Sequence, residues 1–191
     1  MLLGANREKF GVFAISVVDT PAVEENFVAL SKDHAIELKE IDKEKRILLG
    51  AVLIPNQHIL RKDKEGNPYY IYFSADTIAE ASQEYQKNGR QSNATLQHKD
   101  KIDELTVVET WLVADEKHDK TRAFGLDYPV GTWVVAMKVD NDEIWNDYVK
   151  TGKIKGFSIE GYFTDDKTEL QTAKCEDEIL VEKLRDLLTQ N

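Results

Sequence analysis

Cysteine is nearly absent from this chain. Cys175 stands alone among 191 residues, which excludes an intrachain disulfide and a cysteine-based zinc site and points to the cell interior. Basic residues are outnumbered, 25 against 35 acidic ones, for a net charge of −10. A chain that grips phosphates needs the opposite balance, so no nucleic-acid partner is expected, whereas a basic or partly basic protein is compatible. No run approaches the ~20 apolar residues of a membrane span, and Met1 to Phe10 lacks the apolar stretch of a signal peptide. No membrane association is expected, and the protein reads as soluble and cytoplasmic. The glycines are isolated, with none of the spacing that cradles phosphates, and there is neither an internal repeat nor a low-complexity stretch. The acidic run Asp115-Glu116-Lys117-His118-Asp119 reads as a solvated loop and not as a metal site, and no cofactor is expected.

What is present is enough for one substantial core: 41% of the residues are hydrophobic. Gly11 to Val18 is a β-branched run stopped at Asp19-Thr20-Pro21, hence a first strand. Residues 27–30 and 35–38 read as short strands in ambiguous acidic surroundings. Arg46 to Ile54 is continuously apolar and closed by Pro55-Asn56, as in a strand covered on both faces. Tyr69 to Phe73 follows the turn at Gly66-Asn67-Pro68. Ser74 then offers an N-cap, and Ile78, Ala81 and Tyr85 recur at helical spacing until Gly89. Ala94 to His98, Leu105 to Val113 and Gly131 to Val139 are further strands, with a charged connection at 99–104 and an exposed loop at 115–127. Asn141 to Lys150 predicts a short helix. Strands outnumber helices and mostly follow one another directly, so the expected class is α+β, centred on a largely antiparallel sheet or barrel. The division is a domain over 1–165 and an acidic helical tail over 166–191, with helical spacing from Cys175 to Leu188.

The stretch Gly152-Lys153-Ile154-Lys155-Gly156-Phe157-Ser158-Ile159-Glu160-Gly161-Tyr162-Phe163 carries the chemistry. On a strand, Phe157 and Ile159 share one face while Ser158, Glu160 and Tyr162 share the other. A serine becomes a nucleophile only beside a base that a third group orients. Of the four histidines, His34, His58 and His118 read as surface residues, and His98 ends a strand on the face of Ala94 and Leu96. Glu109 lies in the alternating row Val107, Glu109, Trp111, Val113, where a buried carboxylate needs a partner. A hairpin loop over 99–106 brings Glu109 near His98, and a tighter one moves it out of reach. Glu160 is the alternative orienter. The expected set is thus Ser158 as nucleophile, His98 as general base and Glu109 as the third member.

The blocks Asn93-Ala94-Thr95-Leu96-Gln97-His98, Val107-Val108-Glu109-Thr110-Trp111, Gly131-Thr132-Trp133 and Lys155-Gly156-Phe157-Ser158-Ile159-Glu160-Gly161, with Ile15 to Ala22 upstream, resemble the XkdF-like serine proteases of tailed bacteriophages over about residues 10–163. The resemblance implies kinship to prohead (procapsid maturation) proteases and, more distantly, to herpesvirus assemblin. It implies a β-barrel flanked by helices, and a serine endopeptidase that removes scaffold and trims capsid protein. Phage scaffold and major capsid proteins would be the substrates, the immature head in the host cytoplasm the location, and a homo-oligomer a possible form. By position, Ser158 corresponds to the nucleophile and His98 to the base. Backbone amides near Gly156 or Gly161 are the candidates for an oxyanion hole. The alternatives are a non-catalytic capsid-assembly or tail-tube-like protein of the same fold, and a serine esterase. The esterase is disfavoured because Glu160 stands where the pattern Gly-x-Ser-x-Gly needs glycine.

Overall fold

The computed structural model describes residues 11–20, 28–30, 45–62 and 65–163. Strand β1 (Gly11–Val18) is the first element, followed by β2 (Val28–Leu30), β3 (Ile47–Leu53), β4 (Ile59–Lys62) and β5 (Pro68–Ile71). After these come helix α1 (Ala75–Lys87) and strands β6 (Ala94–Leu96), β7 (Asp100–Ile102), β8 (Leu105–Leu112), β9 (Trp133–Val139) and β10 (Gly156–Tyr162). They build a mixed α+β structure of two four-stranded sheets, ordered β10-β1-β6-β7 and β2-β3-β9-β8, with β4 and β5 as a separate hairpin. Every pairing is antiparallel except that of β1 with β6.

The barrel alternative is corrected: both sheets are open among the described residues. The strands that would have to carry a ladder onward, β2, β6 and β7, are three residues long, too short to wrap a sheet through the stagger that closure requires.

The continuous apolar runs of β3 and β9 do lie covered on both faces. Along β9, Trp133, Val135, Met137 and Val139 enter the larger core cluster. Val134 and Ala136 turn the other way, into a second cluster with Leu49, Ala51, Val113 and Tyr128. A two-residue period feeding two apolar layers leaves no polar alternation to read in the sequence.

Helix α1 starts as its sequence predicts, with the Ser74 hydroxyl accepting from Thr77 N at 3.2 Å. It buries Ile78, Ala81 and Tyr85 against the larger core, where the Tyr85 ring meets Trp133 edge-on with centroids 5.4 Å apart. The predicted 141–150 helix is a single wide turn over Ile144–Val149. Its Lys150 N–H bonds the Trp145 carbonyl five residues back at 3.0 Å. The 115–127 loop contains a 3₁₀ turn, Lys120–Phe124, capped by Asp119. Strands β4 and β7 were not expected, because short segments such as Asp100-Lys101-Ile102 carry too little apolar pattern. The strand expected at 35–38, the tail over 166–191 and its helix lie outside the described residues.

Candidate active site

Strand β1 runs through the middle of the site. Ser16 faces Ser158 on the antiparallel neighbour β10 and Thr95 on the parallel neighbour β6. Residues directly opposite share a sheet face, so three hydroxyl side chains form one row across three strands. The other face of the same strands, through Ile15, Val17, Ala94 and Phe157, belongs to the larger core. Ser16 is 0% and Ser158 4% exposed, and among the described residues no side-chain hydrogen bond engages the Ser158 hydroxyl.

Glu160 follows two residues along β10 on the face of Ser158, opposite Ala14. With only a methyl group on β1 in its path, its side chain crosses that strand, and Oε1 accepts a hydrogen bond from the Thr95 hydroxyl on β6. The same oxygen lies 3.4 Å from Nδ1 of His98. Imidazole and carboxylate thus meet on the wall that carries Ser158. The carboxylate is 22% exposed and the ring 41%, so the pair sits where the wall opens to solvent.

The backbone that delivers His98 is unusual. Strand β6 stops at Leu96, and Gln97 and His98 both adopt left-handed conformations, with φ of 52° and 58°. Lys99 N bonds Leu96 O at 3.0 Å, which closes a tight turn with positive φ at both central positions, a geometry that favours Asn-Gly over Gln-His. Two such residues cost about 1–3 kcal/mol each. The turn is held against β1: Gln97 N donates to Val17 O at 3.1 Å, and His98 N donates to Ser16 Oγ at 3.0 Å. The expectation that His98 continues the strand on the face of Ala94 and Leu96 is therefore corrected. It sits in the turn, and the turn directs its ring to the opposite wall, that of Ser158.

Glu109 does not join this group. It lies on β8 in the other sheet, 58% exposed and ion-paired with Lys120, whose ammonium stands 3.7 Å over the Trp111 ring. Two features break the expected geometry. Strand β6 pairs with β7 and β8 with β9, so no hairpin joins the His98 and Glu109 segments. A register shift between Val107 and Glu109 also interrupts the apolar row, and the carboxylate turns outward. Glu160 is the carboxylate beside His98.

Gly161 accepts a backbone at close range. A Cβ at this position would lie 2.6 Å from the Gly11 carbonyl oxygen, so the absent side chain lets the end of β10 pair with β1. The amide of Lys155, beside Gly156, donates to Val18 O at 2.8 Å. The other described histidines stand apart: His58 packs edge-on to Tyr70 and Tyr72, and His118 pairs with Asp115 at 2.8 Å.

Two residues of the site escaped sequence reasoning. Ser16 and Thr95 carried a signal, each being a small hydroxyl residue in an apolar strand, but only the parallel β1–β6 pairing aligns them with Ser158.

The model of the family "Putative phage serine protease XkdF" matches residues 34–168. The chain belongs to this family. The matched span contains Ser158, His98 and Glu160 and leaves out β1, so the early stretch from Ile15 to Ala22 lies outside it. No curated protein and no solved structure matches the chain. Membership in a phage serine protease family gives the row of hydroxyls its chemical context. An imidazole whose Nδ1 proton points to a carboxylate presents Nε2 as a proton acceptor.

Proposed function

We propose that the chain is a serine endopeptidase of a tailed bacteriophage, acting on scaffold and capsid protein during prohead maturation. Ser158 is the nucleophile, His98 the general base and Glu160 the group that orients the base. The observation that carries this reading is the meeting of His98 Nδ1 with Glu160 Oε1 at 3.4 Å on the sheet face that bears Ser158. With its Nδ1–H directed to Glu160, His98 takes the Ser158 proton on Nε2 as Oγ attacks the scissile carbonyl. It returns that proton to the leaving amine when the acyl-enzyme forms. Water repeats the sequence and releases the acyl product. A separation of 3.4 Å is loose for a charge-assisted bond, and free enzymes tighten such contacts when substrate binds.

The resemblance to prohead maturation proteases supports scaffold and capsid proteins as the substrates and the assembling head in the host cytoplasm as the location. The test is co-expression of the chain with its phage's scaffold and major capsid proteins. Wild-type protein is expected to shorten one or both, and Ser158→Ala to leave both at full length while remaining folded. Equal processing by the alanine variant overturns the endopeptidase and leaves a shell-building role.

A further inference from the structure

We infer that Ser16, outside the span matched by the family, is a positioning residue that fixes the base of the reaction. The inference rests on the reading of His98 as that base. The Ser16 hydroxyl is fully buried and makes two bonds at once. It accepts from the His98 backbone N–H at 3.0 Å and donates to the Thr95 carbonyl at 3.3 Å, while its Cα stands opposite that of Ser158.

The strand ladder does not hold His98 by itself. Pairing of β6 with β1 ends at Leu96, and Gln97 N is the last amide to reach a β1 carbonyl. Beyond it the chain turns through two left-handed residues, a pose that relaxes unless neighbouring groups hold it. The His98 amide has a side-chain hydroxyl as its acceptor, and that hydroxyl belongs to the residue that stands directly opposite Ser158. One side chain thereby ties the backbone of the base to the frame of the nucleophile. Removing the hydroxyl leaves a partly buried N–H without its acceptor and frees the turn. The ring then moves relative to Glu160 and Ser158 with no change in any group that touches substrate.

The test uses the full chain and a fluorophosphonate probe, which reports Ser158 activation by forming a phosphonate ester at Oγ with loss of fluoride. Labelling rate per folded molecule is read by mass spectrometry, and His98 amide exchange is followed in protein labelled with ¹⁵N-histidine. Ser16→Ala is expected to slow labelling of Ser158 about tenfold to a hundredfold, the scale of a misplacement near 1 Å. It is also expected to expose the His98 amide to exchange, whereas Ser16→Thr, which keeps the hydroxyl, labels within about threefold of wild type. If Ser16→Ala does not fold, Ser16→Cys, which fills the site with a somewhat larger side chain and a weaker acceptor, is expected to show the same slowing. Wild-type labelling by the folded alanine or cysteine variant overturns the positioning role if His98→Ala abolishes labelling. Wild-type labelling by His98→Ala overturns the base assignment and the positioning role with it.

Discussion

Glu160 and Glu109 are the same residue type on strands of similar length, and their surroundings separate them. Glu160 shares one oxygen between the Thr95 hydroxyl and the His98 ring, whereas Glu109 meets the Lys120 ammonium in solvent. Glu160→Gln keeps the shape and loses the charge that holds the imidazole tautomer. We expect Ser158 labelling by fluorophosphonate to fall about 10³- to 10⁴-fold, less than for His98→Ala. Glu109→Gln is expected to leave labelling within about twofold and stability within about 1 kcal/mol, as for an exposed ion pair. The opposite ranking would return Glu109 to the site. The sequence shows both carboxylates beside apolar residues and does not rank them, because a bulge that turns one outward leaves no mark in the period-two pattern.

Among elements, the β1–β10 pair and the Asp119 turn have different sensitivities. Gly161→Ala drives a Cβ into the Gly11 carbonyl, a backbone group that cannot rotate away, and toward the Phe163 ring at 2.9 Å. We expect a loss of about 1–3 kcal/mol in denaturant unfolding together with slower Ser158 labelling, since the same strand carries Ser158. Stability and labelling both unchanged would mean that β10 does not need this close approach.

The Asp119 turn, by contrast, responds to acid. Partial burial pushes the Asp119 carboxyl upward, but bonds from Thr121 N at 2.9 Å, Thr121 Oγ1 at 2.7 Å and Trp111 Nε1 at 3.1 Å, with the Lys120 charge, outweigh it and hold the group below the usual aspartate range. A carboxylate lowered on folding contributes stability that is full above about pH 4, the value of an unfolded aspartate, and is lost as pH falls through the depressed value. The Trp111 indole N–H resonance should therefore keep its folded position at pH 5 and move only below pH 4. A shift centred above pH 5 would contradict this. The turn itself was not foreseen, since its polar sequence matches that of a loop and the cap acts through local bonds.

For the whole molecule, the question is whether the two sheets fold as one unit. Trp133 is fully buried, meets Tyr85 of α1 edge to face, donates from its indole N–H to Thr110 Oγ1 of β8 at 2.6 Å and lies in the cluster that also holds Val12 and Phe157. Trp133→Ala is expected to cost about 3–5 kcal/mol, a large part of a typical domain's 5–15 kcal/mol. It should lower the unfolding midpoint while the transition stays single by fluorescence and far-ultraviolet dichroism. Two separated transitions would show that the site sheet and the β2-β3-β9-β8 sheet fold independently.

The sequence by itself determined the long elements, because apolar periodicity and caps act over neighbouring residues: β1, β3, β8, β9, β10 and the start of α1 at Ser74 all lie where local pattern puts them. It also singled out Ser158 and His98 as candidates, each a polar residue set against an apolar strand or its end. Tertiary structure alone decided which carboxylate accompanies the histidine, because that choice rests on strand order and register. These are set by contacts between segments 65 to 82 residues apart, such as Thr95 with Glu160 and Ser16 with His98. Tertiary structure also decided the left-handed turn that aims the imidazole, because Gln-His has no intrinsic preference for it and the bonds to β1 impose it.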